Sequence, residues 1–148
     1  KRIHETLEAR AYLHKGLKII YRDRAKGSSE TFEFEEGIKA YLDKLVKERG
    51  FKATHDFMFY QLSEKEPRME VALQWTDEPG EYIRSYVNGV YTRDGGTHEQ
   101  GLRTGVVRAV RNYIDIHDLQ PRGVRLTPDD LREGLSAVLS VYHLDPQF

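Results

Sequence analysis

Apolar residues at intervals of three and four positions predict the helices of this chain. The first helix covers residues 2–15, and a second apolar stripe ends before Gly50. A third stripe begins after residue 97 and predicts the longest helix. The members of the three stripes are, in order, Ile3, Leu7 and Ala11; Ile38, Tyr41, Leu42, Leu45 and Val46; and Leu102, Val106, Ala109, Val110 and Tyr113. A short fourth helix begins at Thr127-Pro128, because threonine caps helices and proline suits the first helical position.

Apolar runs between these helices predict the strands. They cover residues 17–22, 31–34, 57–62, 69–75, 81–87 and 136–144. The first two strands form a hairpin, and the next three are expected to form an antiparallel meander whose middle strand has one buried face. The last strand is apolar at nearly every position, which is typical of a central strand covered on both sides. The order ββαβββααβ predicts an α+β fold with a mixed sheet and helices on one face.

Composition narrows the functional classes. The chain has 148 residues, a length typical of one domain with one core. Its 23 basic and 24 acidic residues give a formal net charge of −1, so any contact with nucleic acid must be local. The sequence contains no cysteine and no apolar run of membrane-spanning length. It begins in helical sequence without an initiator methionine or a signal peptide, and we expect it to belong to a longer protein.

A glycine-rich turn leads into the long helix. Gly95 and Gly96 are followed by Thr97, a candidate helix cap, and by His98 and Glu99. The turn has two interpretations: a capped structural turn, or an anion site made by free N–H groups at the helix start. The two glycines are too few for either common nucleotide-binding fingerprint. His98 is expected to be a hydrogen-bonded structural residue, since the alternative, a hydrolase base beside Glu99, lacks a nucleophile nearby in the sequence.

The histidines do not predict a metal site. There are six of them, and none has the four-residue helical spacing of a zinc-binding pair. No catalytic, cofactor-binding or metal-ligating residue is therefore predicted within these 148 residues.

Arg103 interrupts the apolar stripe of the long helix. An unpaired guanidinium in that position is costly unless it reaches water, pairs with a carboxylate or meets a partner's anion. The sequence leaves these alternatives open. Gly101, Gly105 and Ala109 form a second stripe, which predicts close packing against a neighbouring element, because glycine inside a helix costs about 1 kcal/mol.

Four blocks of sequence carry a resemblance to a known family. They are Asp94-Gly95-Gly96-Thr97-His98 with Gly101; Val71 to Trp75; Arg132-Glu133-Gly134-Leu135; and Leu139-Ser140-Val141 with Asp145 to Phe148. In this order they resemble the transducer, the second domain of the ATPase subunit of bacterial type IIA topoisomerases. The B subunits of DNA gyrase are the nearer likeness, and those of topoisomerase IV are second.

The resemblance implies a fold and a division of the chain. Residues 1–15 would be a helix that connects to an upstream ATPase domain, and residues 16–148 would be the transducer domain. The implied fold resembles the second domain of ribosomal protein S5, with a left-handed βαβ crossover. A Gln-Thr-Lys loop, whose lysine contacts ATP in the family, would follow Phe148, so the chain alone is expected to be catalytically inactive and to hold no cofactor.

The resemblance also implies a function for the whole protein. That protein would be an ATP- and Mg²⁺-dependent isomerase of the cytoplasm that couples ATP binding and hydrolysis to DNA-gate opening during negative supercoiling. Its partners would be the upstream ATPase and downstream cleavage-core domains, the A subunit of gyrase, DNA and a second copy of itself, and no membrane. In the family the arginine that matches Arg103 faces the DNA cavity, so Arg103 is a candidate DNA contact. The alternative is a stand-alone S5-like nucleic-acid-binding module, which predicts a basic face.

Overall fold

The computed structural model describes all 148 residues. It contains four helices and seven strands. In chain order these are α1 Arg2–Leu13, β1 Ile19–Asp23, β2 Ser28–Phe32, α2 Ile38–Glu48, β3 Phe59–Ser63, β4 Arg68–Trp75, β5 Tyr82–Val87, β6 Val90–Tyr91, α3 Thr97–Ile116, α4 Pro128–Arg132 and β7 Leu135–Tyr142. The early hairpin is confirmed, since β1 and β2 pair antiparallel in a separate two-stranded sheet. The short strand β6 was not predicted. None of the helices combines the length and the apolar character that crossing a membrane requires.

The main sheet has the strand order β3-β4-β7-β5-β6. β7 lies between β4 and β5, antiparallel to β4 and parallel to β5, so the predicted meander of three consecutive strands is wrong. The segment that contains α3 and α4 is the crossover between the parallel strands β5 and β7. The central position of β7 is confirmed, because its residues from Leu135 to Val141 are all buried. A strand covered on both faces is most stable at the centre of the sheet.

One face of the sheet is covered by α1 and α2. Their buried residues form a ten-residue cluster with Ala72 of β4, Val138 of β7 and Tyr86 of β5. All five apolar residues predicted for α2 are buried in it, which confirms that stripe. The predicted face of α1 is partly wrong: Ile3 is 58% exposed, and Tyr12 is buried instead. The Tyr12 ring stacks on Phe34 with centroids 3.5 Å apart and on Tyr41 of α2 with centroids 4.8 Å apart, which holds the end of α1 against α2.

The opposite face is covered more thinly, by α3. Leu102 of α3 packs against a cluster of three buried residues, Val71, Leu139 and Val141. Successive strand residues point to opposite faces, so burial of both Val71 and Ala72 means that β4 has two covered faces rather than one. The α+β class and the mixed sheet are confirmed. The structure corrects one detail, since helices lie on both faces of the sheet.

Most of α3 lies away from the core. Of its predicted apolar stripe only Val106 is buried, and Tyr113 near its end is 59% exposed. The predicted close packing of Gly101 and Gly105 is wrong within this chain, because a side-chain carbon built at either position meets nothing within 4 Å. The residue of α3 that packs on the apolar cluster of the sheet is Leu102, near the start of the helix, whereas the spacing pattern describes the whole helix equally.

Candidate functional site

The turn before α3 requires glycine at two positions. Gly95 has φ +76° and Gly96 has φ +156°, conformations that residues with a side chain rarely adopt. A carbon added at Gly96 would approach the His98 ring to 2.8 Å. Gly96 is also the residue that precedes the first helical turn, and Thr97 makes no capping hydrogen bond. The prediction that Thr97 caps the helix is therefore wrong; the turn geometry instead brings His98 and Glu99 back against β5.

Four polar side chains interlock between this turn and β5. The Ser85 hydroxyl donates to Glu99 Oε1 at 2.5 Å and lies 2.6 Å from Thr92 Oγ1. Thr92 Oγ1 donates to the Ser85 carbonyl oxygen at 2.9 Å. His98 Nε2 lies 2.9 Å from Thr92 Oγ1 and 3.0 Å from Ser85 Oγ. Ser85 and Glu99 are buried, so this network replaces water around a carboxylate in the protein interior.

The network requires a proton on Nε2 of His98. The hydroxyl protons of Ser85 and Thr92 are already donated elsewhere, so Nε2 of His98 must carry a proton and donate to them. The single Nε2–H of the neutral tautomer is shared between the Thr92 and Ser85 hydroxyl oxygens, and the 2.6 Å contact between those two oxygens has no proton of its own. Burial lowers the pKa of His98 below its ordinary value, and the nearby Glu99 carboxylate opposes that shift. His98 is thus a neutral hydrogen-bond donor at neutral pH.

These residues do not form a hydrolytic site. Ser85, His98 and Glu99 are the residue types of a catalytic triad, but the base of a triad lies between nucleophile and acid. Here Ser85 lies between His98 and Glu99 and donates its proton to the carboxylate. Ser85 is also completely buried, so no substrate can approach it. The arrangement orients Glu99 rather than activating a nucleophile.

Glu99 in turn holds Arg103. The Arg103 guanidinium donates from Nε to Glu81 at 2.7 Å and from Nη2 to Glu99 Oε2 at 3.4 Å. Glu81 also pairs with Arg132 of α4 at 3.5 Å. Of the alternatives left open by the sequence, the structure shows the carboxylate-paired one. Glu81 and Arg132 were missed as site residues because Glu81 directly precedes β5 and Arg132 lies in α4, both far from Arg103 along the chain.

A groove of about 580 Å³ runs along α3 and α4 beside this ion-pair cluster. Four of its ten lining residues are arginines: Arg103, Arg108, Arg111 and Arg132. Arg103 and Arg132 are paired with carboxylates, whereas Arg108 and Arg111 form no ion pair. Arg111 donates only to the Leu126 carbonyl, at 3.3 Å. The groove thus combines carboxylate-paired arginines with arginines that form no ion pair, and Asp115 is its one acidic lining residue. Such a lining is suited to a polyanion.

The site offers no cation centre. No group of three or more His, Cys, Asp or Glu side chains is positioned to bind a metal ion. The first turn of α3 carries a negative charge of its own, on Glu99. Gly95 lies within contact distance of that carboxylate, since an added carbon would be 3.0 Å from Glu99 Oε2.

Comparison with known proteins identifies the family. Residues 37–148 match the family model described as DNA gyrase B. The chain is 38% identical to the B subunit of DNA gyrase from Haloferax volcanii over all of its own length, and 37% identical to the B subunit of DNA topoisomerase 4 from Pseudomonas aeruginosa over 99% of it. It spans only 23% of the length of each of these relatives.

The fold agrees with this assignment. The 43K ATPase domain of Thermus thermophilus gyrase B, solved with an aminocoumarin, superimposes with a TM-score of 0.89 at 34% identity. The match covers 99% of this chain and 40% of that one. The ATP binding domain of Francisella tularensis topoisomerase IV superimposes with a TM-score of 0.81 at 31% identity. Sequence and fold together show that this chain belongs to the DNA gyrase B family, whose members are subunits of type II DNA topoisomerases.

Proposed function

We propose that this chain is the transducer segment of a gyrase B subunit, with residues 1–15 as its connecting helix and residues 16–148 as its body. In this role it passes the effect of ATP binding in an upstream domain to the DNA gates of a topoisomerase. Its sequence supports gyrase as the parent enzyme, with topoisomerase IV as the alternative. The relay acts within a cytoplasmic enzyme that contains the A subunit of gyrase, DNA, and a second copy of the B subunit.

The observation that carries the proposal is the arginine groove on a chain of this family. Arg103 is positioned by two carboxylates, so its guanidinium has a defined orientation at the groove. DNA phosphates that enter the groove compete with Glu81 and Glu99 for that guanidinium. We infer that Arg103 contacts the DNA backbone. When a phosphate replaces Glu81 and Glu99 as the partner of Arg103, these two carboxylates are released, and the change is passed to β5 and α3.

The experiment is an Arg103→Gln substitution in the full-length enzyme. We expect the basal ATP turnover to be unchanged and its stimulation by duplex DNA to fall several-fold, because one phosphate contact is lost. Arg122→Gln is the matched control, since Arg122 is exposed, forms no ion pair and lies outside the groove. Equal DNA stimulation in the wild type and the Arg103→Gln enzyme would falsify the assigned role of Arg103.

ATP and Mg²⁺ belong, in this proposal, to the parent enzyme rather than to these residues. The nucleotide would be held by an upstream domain, and this chain would respond to it mechanically. Isothermal titration calorimetry of the 148-residue chain with a non-hydrolysable ATP analogue and Mg²⁺ tests whether these residues bind nucleotide by themselves. We expect no tight isotherm, and a submicromolar one would contradict the proposal.

A further inference from the structure

A second polar cavity lies at the junction of α1 with the sheet. It has a volume of about 140 Å³ and is lined by six residues: Leu13, His14, Lys15, Arg68, Glu70 and Tyr142. None of these residues lines the arginine groove. One water molecule takes about 30 Å³ of liquid, so the cavity has room for a polyatomic ion.

The cations around this cavity form no ion pair within the chain, and they outnumber its one carboxylate, Glu70. Lys15 and Arg68 line it, Arg10 lies close to His14, and none of the three forms an ion pair. The Arg68 guanidinium lies over the Tyr142 ring, 5.6 Å from its centroid. Burial lowers the pKa of His14, the charges of Arg10 and Arg68 lower it further, and the Glu70 carboxylate opposes the shift. The cavity is therefore a region of positive potential around a neutral imidazole.

One acceptor faces this positive region. Glu70 lines the cavity, and its Oε2 atom accepts a hydrogen bond from the Tyr60 hydroxyl at 2.7 Å. Its Oε1 atom makes no hydrogen bond within the chain. The Tyr142 hydroxyl lies 3.3 Å and 3.4 Å from the two ring nitrogens of His14, so it is also close to this space. A carboxylate among unpaired cations repels a bare anion but accepts a proton from an anion that carries one.

We propose that this cavity binds hydrogen phosphate, with Arg68 and Lys15 on its charged oxygens and Glu70 Oε1 accepting its hydroxyl proton. The same geometry discriminates against sulfate, which has the same shape but no proton at neutral pH. Tyr60 holds Glu70 in the orientation that makes this selection possible. The site is independent of the DNA-binding role assigned to Arg103.

The test is a nuclear magnetic resonance titration of the 148-residue chain with inorganic phosphate at pH 7, with ionic strength kept constant by sodium chloride. We expect saturable shifts at His14 and at the backbone of residues 13–15, and an upward shift of the His14 pKa, since a bound anion favours the imidazolium form. Sulfate should bind at least about tenfold more weakly, because its contact with Glu70 is repulsive.

Three variants separate this site from general charge effects. Arg68→Gln should weaken phosphate binding at least about tenfold, because a charge-assisted contact is lost, whereas Arg122→Gln should leave it unchanged. Glu70→Gln should remove most of the preference for phosphate over sulfate. The proposal is overturned if phosphate gives no saturable shift at millimolar concentration, if Arg68→Gln binds like the wild type, or if sulfate binds as tightly as phosphate to the unaltered chain.

Discussion

The two faces of the main sheet are held by different interactions. On one face α1 and α2 bury a cluster of ten apolar and aromatic residues, centred on side chains such as Leu42 with no exposed surface. On the other face the apolar cluster has three buried residues, and a chain of polar contacts from Ser85 through Glu99 to Arg103 continues from it. Apolar burial dominates stability, whereas paired buried charges contribute orientation more than free energy. The first face therefore keeps the domain folded, and the second sets the direction of an arginine.

Leu42→Ala should have the largest effect, since it removes a fully buried side chain from the larger cluster. We expect the free energy of unfolding to fall by about 2–5 kcal/mol, through lost burial and the cavity left behind. The same substitution at Leu102, which is only partly buried on the opposite face, should cost less than half as much. Urea unfolding followed by circular dichroism measures both. Equal losses would mean that the two faces contribute alike, contrary to the comparison.

Glu99→Gln tests the polar face. The substitution keeps the shape of the side chain but removes the charge that Ser85 and Arg103 contact, so we expect a loss of about 1–3 kcal/mol. Glu64→Gln is the matched control, because Glu64 is exposed and its side chain forms no hydrogen bond or ion pair, and it should change the free energy of unfolding by less than about 0.5 kcal/mol. A second effect is specific to orientation: Arg103 should lose its fixed geometry, visible as averaged Nε–H resonances.

The apolar face could be predicted from the sequence because its signal is local. The apolar stripe of α2 predicts one buried helix face, and the continuous apolar run of β7 predicts a strand buried on both faces. The structure confirms both predictions. The order of the strands in the sheet could not be predicted from such local patterns. The insertion of β7 between β4 and β5 depends on pairing between residues far apart in the chain, such as Val71 with Leu139. Spacing within a segment carries no information about such pairs.

The polar site was harder to predict for the same reason. The sequence drew attention to His98 and Arg103, but their partners come from β5 and its neighbours. Ser85 and Glu81 carry no motif, since a serine in a strand and a glutamate before one are ordinary surface residues in most proteins. The one usable signal was Arg103 itself, because a guanidinium on an apolar stripe demands a partner. Which residues pair with Arg103 could be learned only from the folded structure.

Gly105→Ala should have a smaller effect, of opposite sign. Gly105 lies in a regular helical segment with open space around it, so alanine should raise the free energy of unfolding by about 0.5–1 kcal/mol. Gly96→Ala should instead destabilise, because its φ of +156° and the nearby His98 ring leave no room for a side chain. Thermal unfolding of the two variants compares them directly. Destabilisation by Gly105→Ala would indicate that this surface of α3 is already packed in solution.

The smallest expected effect is a pH dependence carried by His98. Its pKa in the folded chain is lowered, chiefly by burial, so the unfolded chain takes up a proton first as the pH falls below about 6.5. The stability that comes from keeping His98 neutral is fully present above that pH and is lost as the pH falls through the folded pKa. The lowered pKa of His14 acts in the same direction.

Urea unfolding between pH 7.5 and 5 separates the two histidines. Glutamine at position 98 retains an N–H donor for Thr92 and Ser85 but does not titrate, so His98→Gln should flatten the pH dependence while preserving part of the network. His14→Gln should flatten it by the remaining share, and the two reductions should add because the residues share no hydrogen-bond partner. An unchanged slope in His98→Gln would mean that the imidazole is solvated in the folded chain. In that case the polar face is looser than its geometry indicates, and Glu99 holds Arg103 without the support of His98.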